Sequence, residues 1–132
     1  MQKTELIQKA VKARKNAYAP YSNYPVGAAL YTATGKTYLG ANVENAAYPV
    51  TMCAERVAIF KAVSEGEREF EMIAVVTENA GSPCGSCRQV LAEFGLDTLV
   101  LIADEQGNLV EELSVGELLP KAFTPKDLIQ PK

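Results

Sequence analysis

The sequence predicts an α/β protein: a three-layer α/β/α sandwich whose central sheet is mixed and has about five strands. Two features support this prediction. Short, continuously apolar segments, which are typical of strands buried on both faces, alternate with segments whose apolar residues recur at helical spacing. The chain has 132 residues, which is the size of one domain. We therefore expect a single domain over residues 1–132.

The first part of the chain predicts one helix followed by a β-hairpin. Apolar residues recur at helical spacing over residues 4–18, with basic side chains on the other face. A loop bounded by two prolines follows. Apolar-rich strands are expected over residues 26–33 and 36–43, and the short segment between them contains Gly35, which is typical of a turn.

The rest of the chain predicts helices and strands in alternation, which favours a mixed sheet covered on both faces. Ser82 is a suitable N-cap and Pro83 a suitable first residue for one helix, and Gly95 lies just past its end. Ser114 is a suitable N-cap for a last, short helix. The predicted helices cover residues 52–64, 83–94 and 115–119, and the predicted strands cover residues 72–77, 99–103 and 109–111.

Composition and charge exclude several classes of function. The net charge is −3, whereas nucleic-acid binders usually carry a surplus of basic residues, so we expect no nucleic-acid partner. Residues 1–10 lack the apolar core of a signal peptide, and no apolar run approaches the ~20 residues that span a bilayer. We expect a cytoplasmic protein that binds a small molecule and no membrane.

The chain has three cysteines and no histidine. Cys84 and Cys87 are spaced to lie on one face of a helix's first turn, and Cys53 begins another predicted helix. Helix N-termini favour thiolates, and thiolates aimed at one point suit zinc. A redox pair and inert buried cysteines remain as alternatives. A structural zinc needs four protein ligands, so three cysteines favour a zinc with one open position.

Glu55 lies two residues after Cys53 on the same predicted helix. It is too close in sequence to bind a metal comfortably beside Cys53. We therefore interpret it as a proton carrier between water and substrate. The alternative is a first-turn glutamate that is favoured only by the helix dipole.

These motifs resemble those of the zinc-dependent nucleobase and nucleoside deaminases. The resemblance rests on Cys53 and Glu55, followed by the pair Cys84 and Cys87 after a proline. The segments NVENAAY at residues 42–48 and SPCGSCRQ at residues 82–89 are similar to those of the small homotetrameric cytidine deaminases. The likeness runs from about residue 17 to residue 123.

The resemblance implies a cytidine deaminase-like fold and one zinc ion per chain, held by Cys53, Cys84 and Cys87 with water as the fourth ligand. In this family, zinc-bound hydroxide attacks C4 of the base, while Glu55 would protonate N3 and then the departing amino group. The implied reaction is the hydrolysis of cytidine and 2′-deoxycytidine to uridine and 2′-deoxyuridine with release of ammonia, in pyrimidine salvage. The family also implies a homotetramer with sites at subunit interfaces.

The resemblance assigns substrate-binding roles to five further residues. Asn42 and Glu44 would bind the ribose hydroxyls. Tyr24 would pack on the pyrimidine ring at a position where the family often has phenylalanine. The backbone N–H of Ala54 would hold the pyrimidine O2, and Phe123 would reach the site of a neighbouring subunit.

Arg56 matches the family's arginine that offsets the charge of the zinc cluster. Three thiolates and Zn²⁺ sum to −1, and a guanidinium donating to sulfur would draw off that charge. Arg88 is a second candidate for a position near the sulfurs. The alternative is that Arg88 is a solvated residue on its helix.

Three other functions remain open from the sequence. One is a related small deaminase acting on a blasticidin-type cytosine antibiotic, although Tyr24, Asn42 and Glu44 favour a plain nucleoside. A DNA or RNA cytosine deaminase is disfavoured by the net charge of −3. The third, from a different class, is an interaction module with a structural zinc.

Overall fold

The structure is a computed structural model that describes residues 1–128. Five strands form one sheet in the order β2-β1-β3-β4-β5. The strands are β1 Gly27–Thr32, β2 Thr37–Ala41, β3 Phe70–Val76, β4 Leu99–Ala103 and β5 Leu109–Ser114. The helices are α1 Lys3–Arg14, α2 Ala54–Ser64, α3 Gly85–Glu93, α4 Val115–Leu118 and α5 Pro125–Leu128, with a 3-10 turn at Tyr48–Val50. The predicted mixed sheet of about five strands is confirmed.

The sheet is mixed because only one neighbouring pair of strands is parallel. Strand β1 pairs antiparallel with β2 and β3, β3 pairs parallel with β4, and β4 pairs antiparallel with β5. Gly27 at the start of β1 pairs with Ala41 at the end of β2 and with Val76 at the end of β3. The loops before β1, after β2 and after β3 therefore meet at one edge of the sheet.

Helices cover both faces of the sheet, as the three-layer prediction requires. On one face α1 buries Leu6, Ile7 and Ala10 against apolar residues of β1, β3 and β4. On the other face α2 and α3 bury Ala58, Ile59 and Leu91, among others. Burial of such apolar area is the main favourable term in folding.

Two glycines allow helices to lie directly on the sheet. A Cβ atom at Gly27 would lie 2.1 Å from the carbonyl oxygen of Ala10 in α1. A Cβ atom at Gly40 would lie 2.3 Å from the carbonyl oxygen of Ala54, the first residue of α2. Gly40 thus lets the N-terminus of α2 approach the sheet edge where the three loops meet.

Some element bounds differ from the prediction. Helix α1 ends at Arg14 rather than at residue 18, because Tyr18 pairs with the chain after β2: its N–H donates to the carbonyl of Asn42, and its carbonyl accepts from Glu44. Helix α3 begins at Gly85 with Cys84 as its N-cap, two residues later than predicted. Strand β4 has the predicted bounds, whereas α5 was not predicted.

Among residues 1–128, no helix has the length and apolar character that crossing a membrane requires.

Candidate metal centre and binding pocket

The three cysteines meet at the N-termini of two helices. Cys53 is the N-cap of α2, Cys84 is the N-cap of α3, and Cys87 lies in the first turn of α3. The Sγ atoms of Cys53 and Cys84 are 3.9 Å apart, and those of Cys84 and Cys87 are 3.4 Å apart. All three sulfurs lie within 4.8 Å of one another. The predicted convergence of the three thiols is therefore confirmed.

The spacing of the sulfurs fits one zinc ion. Sulfurs about 2.3 Å from a tetrahedral zinc lie about 3.8 Å from each other, close to the two separations observed. The cysteines are free, and these separations far exceed the ~2.05 Å of a disulfide. Within residues 1–128 the cluster has no fourth ligand from a histidine, cysteine, aspartate or glutamate side chain. Three sulfur ligands leave one position open, which is typical of a catalytic rather than a structural zinc site.

Hydrogen bonds among the thiols already favour a thiolate in the metal-free site. A hydrogen bond from Cys87 lowers the pKa of Cys53, and Arg56 lowers it further through its own hydrogen bond and positive charge. The same bond between the two cysteines, together with burial, raises the pKa of Cys87. Of these two cysteines, Cys53 is therefore the one that ionises more readily.

Arg56 contacts the metal-ligand cluster directly. Its Nη2 atom donates to the Sγ atom of Cys53 at 3.3 Å. Its Nε atom is buried and has no hydrogen-bond partner among residues 1–128. The side chain thus points its charge at the sulfurs.

Glu55 is buried beside the sulfurs, with 4% of its surface exposed. In the metal-free site, burial raises the pKa of the Glu55 carboxyl, and hydrogen bonds from its own backbone N–H and from Cys87 oppose that rise only in part. A carboxyl group with a raised pKa both binds and releases a proton closer to neutral pH, as proton transfer requires.

A cavity of about 240 Å³ opens beside the cysteines at the edge of the sheet where the three loops meet. Both Cys53 and Glu55 line it, and so does Cys84. The remaining predicted residues on its wall are Tyr24, Asn42 and Glu44. Ligand sites of open α/β sheets commonly lie outside the carboxyl ends of the strands, and this cavity lies beyond the ends of β2 and β3.

Asn42 and Glu44 hold the loop that precedes β1. The Asn42 side chain accepts from the N–H of Val26 at 2.9 Å and donates to the carbonyl of Tyr24 at 3.1 Å. One Glu44 oxygen accepts from the N–H groups of Tyr21 and Ser22, at 2.9 and 3.1 Å, and the other accepts from the Ser22 hydroxyl. The Ser22 hydroxyl holds the pKa of Glu44 below its ordinary value, so Glu44 faces the cavity as a carboxylate.

Two predicted binding residues lie off the cavity wall. Ala54 is fully buried at the start of α2. Phe123 is 55% exposed, and its backbone carbonyl accepts from the Gln89 side chain at 2.8 Å. That bond ties the C-terminal segment to α3.

Arg88 lies near the metal ligands without donating to sulfur. Its guanidinium donates to the carbonyls of Pro83 and Leu118, both at 2.8 Å, and to the Ser82 hydroxyl at 2.7 Å. It links the segment before Cys84 to the end of α4. The interpretation of Arg88 as a solvated residue is therefore wrong.

Sequence reasoning missed several residues of the cavity wall. Ser22, Thr77 and Gly81 line the cavity beside the predicted residues. Thr77 had a usable signal, because it is the first polar residue after a buried strand, at the sheet edge where ligands bind. Ser22 and Gly81 had none, since Ser22 bonds to Glu44 and Gly81 lies against the Tyr24 hydroxyl, and both of these neighbours are distant in sequence.

The fold and the site together define an α/β protein with a three-sulfur metal centre and a buried glutamate beside a small polar cavity. The family model "Cytidine and deoxycytidylate deaminase zinc-binding region" matches residues 1–103, and the chain belongs to this family.

The similarity to known proteins extends over nearly the whole chain. A cytidine deaminase of Sporosarcina psychrophila is 50% identical over 126 residues, which cover 94% of this chain and 93% of that protein. A cytidine deaminase of Halalkalibacterium halodurans is 50% identical over 131 residues, covering 97% and 98%. The crystal structure of a Burkholderia pseudomallei cytidine deaminase superposes with a TM-score of 0.88 at 50% identity, covering 93% of this chain and all of that one. That crystal structure shares the α/β fold predicted from the sequence.

Proposed function

We propose that this chain is a zinc-dependent hydrolase that converts cytidine and 2′-deoxycytidine to uridine and 2′-deoxyuridine, with release of ammonia. The observation that carries the proposal is the cluster of three sulfurs with a buried Glu55 beside a cavity that a nucleoside could enter. Relatives named cytidine deaminase, 50% identical over most of the chain, support it. A relative named blasticidin-S deaminase, from Bacillus cereus, is 33% identical over 133 residues.

Cys53, Cys84 and Cys87 would hold one zinc ion per chain. When bound, zinc supplies the Lewis acidity that lets water ionise near neutral pH. Arg56 donates to Cys53, and its charge offsets the net −1 of three thiolates and Zn²⁺.

Glu55 would move the protons of the reaction. Hydrolysis adds water at C4 of the base and expels ammonia, so protons must reach N3 and then the amino group. Glu55 is the one carboxyl group that combines a place on the cavity wall beside the sulfurs with a raised pKa among residues 1–128. It accepts the proton that water loses and delivers it to the base.

The remaining binding roles concern the nucleoside. Asn42 and Glu44 would bind ribose hydroxyls, since a carboxylate accepts and an amide both donates and accepts. Both line the cavity. The Tyr24 ring would pack on the pyrimidine, and the N–H of Ala54 would donate to its O2.

The biological setting is also part of the proposal. The exposed apolar residues Tyr48, Val50 and Phe123 suit an interface between copies of this chain, and Phe123 would complete a neighbour's site in a homotetramer. We further propose a single domain over residues 1–132, of which the last four lie outside the described residues, and a role in pyrimidine salvage in the cytoplasm.

A turnover assay tests the proposal. The absorbance of cytidine is followed with the purified zinc-containing protein, with Glu55→Gln and with the exposed control Glu71→Gln. We expect the wild type and the control to deaminate cytidine, and Glu55→Gln to keep its zinc while kcat falls at least ~10²-fold. Free cytosine should be a poor substrate. The proposal is contradicted if the wild type does not deaminate cytidine. In that case the wild type would deaminate either blasticidin S instead or no cytosine compound at all.

A further inference from the structure

The hydroxyl group of Tyr24 has no role in the proposed function, which uses only the ring. In the structure this hydroxyl donates to the Oδ1 atom of Asn79 at 2.6 Å. Tyr24 lies in the loop before β1, and Asn79 lies in the loop between β3 and α3. One side-chain bond therefore joins two loops that wall the cavity from different parts of the chain.

Asn79 also contacts a residue of its own loop, Thr77. The Thr77 hydroxyl donates to Asn79 Oδ1 at 3.4 Å and accepts from the N–H of Gly81 at 2.6 Å. This loop continues to Cys84, the N-cap of α3. Tyr24 is thus tied to the segment that leads to a metal ligand.

Gly81 leaves the space that the Tyr24 hydroxyl occupies. A Cβ atom at Gly81 would lie 2.4 Å from the hydroxyl oxygen. Such a contact is too short to persist, so a larger residue at position 81 would displace the end of the tyrosine ring and break its bond to Asn79.

We propose that Tyr24 and Asn79 form a clasp across the cavity mouth that holds the Tyr24 ring where it packs on the base. Asn79 is then a positioning residue, because it acts on the substrate through Tyr24. This inference rests on the proposed function. The clasp holds the same ring before and during the reaction, so it contributes to nucleoside binding rather than to the chemical step.

Steady-state kinetics with cytidine test the clasp in Tyr24→Phe, in Asn79→Ala and in the double variant. We expect each single variant to raise KM about two- to tenfold, the usual effect of one hydrogen bond, with kcat within about twofold of the wild type. The double variant should match the single variants, since both remove the same bond. Tyr31→Phe is the control, because its hydroxyl lies near the Gly35 turn.

Gly81→Ala gives a second, independent arm. In the wild-type background it should raise KM like Tyr24→Phe, and in the Tyr24→Phe background it should add little, because the hydroxyl it displaces is gone. An unchanged KM, additive effects in the double variant, or a loss confined to kcat overturns the clasp while leaving the proposed function intact. An inactive wild-type protein contradicts the proposed function, and the clasp with it.

Discussion

At the scale of single residues, Arg56 shows how a neighbour of the metal ligands adjusts the centre. Its guanidinium donates a hydrogen bond to the Sγ atom of Cys53. Arg56 thus brings a positive charge into contact with the sulfurs. Removing it would leave the negative charge of the cluster without compensation.

We predict that Arg56→Gln weakens zinc retention about 10- to 100-fold. Arg56→Lys should restore it only in part, because an ammonium does not reproduce the planar set of donors. The measurement is zinc loss to a chelator, with Arg68→Gln as the control, since Arg68 donates to the carbonyls of Val63 and Glu67 instead. Equal zinc retention in all three variants would remove Arg56 from this role.

The contribution of Glu44 to the stability of the fold should depend on pH. The Ser22 hydroxyl lowers the pKa of Glu44, so the ionised carboxylate stabilises the fold above the ordinary glutamate pKa of about 4.3, and this stabilisation is lost as the pH falls through the lower folded-state value. Glu44→Gln should lower Tm at neutral pH, and its difference from wild type should shrink below about pH 4. Thermal unfolding from neutral to acidic pH measures this, with Glu71→Gln as control. A difference that grows towards acid would refute the anchoring role.

The residues of the metal centre were more predictable than their surroundings. Three cysteines without a histidine, two of them spaced by three residues, favour a zinc held by three sulfurs, and the resemblance to the zinc-dependent deaminases implies the same ligands. The partner of Tyr24 was not predictable, because Asn79 lies 55 residues away and the bond depends on how two loops meet.

At the scale of elements, the N-termini of α2 and α3 position the ligands. Cys53 and Cys84 occupy the N-cap positions, and neither makes a side-chain cap to its helix. The sulfurs are therefore free to face each other and a metal. The segment before α3 is held instead by Arg88, which bonds to residues 82, 83 and 118.

We predict that Arg88→Gln lowers the free energy of unfolding by about 1–3 kcal/mol, because several hydrogen bonds of a charged group are lost. Arg88→Lys should recover little, since one ammonium cannot replace three directed donors. Chemical denaturation measures this against Lys9→Gln, which removes the same charge from the exposed face of α1. A loss no larger than that of the control would show that Arg88 does not hold the segment.

Elements were predictable where local pattern and burial agree. Strand β4 is a continuous apolar segment that is largely buried, and both of its ends were predicted correctly. Helix α1 was predicted too long, because Ala17 and Tyr18 continue the apolar spacing while the Tyr18 backbone pairs with residues 42–44. Long-range backbone pairing of this kind leaves no local signal.

At the scale of the whole molecule, the metal centre joins the N-terminus of α2 to the N-terminus of α3. Cys53 belongs to α2, and the other two ligands belong to the segment after β3. One zinc ion would therefore hold two helices at the same edge of the sheet.

We predict that removing zinc lowers Tm by about 10 °C or more, because a ligand that binds only the folded chain stabilises it in proportion to the logarithm of its concentration over Kd. Scanning calorimetry of the metal-free and zinc-loaded protein measures the change, and re-addition of zinc should reverse it. Equal Tm values with zinc shown to be bound would mean that the centre contributes nothing to the fold.

Titration of zinc into the metal-free protein, with the rate of cytidine deamination as the readout, tests the central claim most directly. Three sulfur ligands that form one cluster predict no turnover without metal, a rate that rises in proportion to added zinc, and saturation at one zinc per chain. Glu55→Gln should bind the same amount of zinc without gaining a comparable rate. Full turnover by the metal-free protein, or no turnover at any amount of bound zinc, would contradict the account.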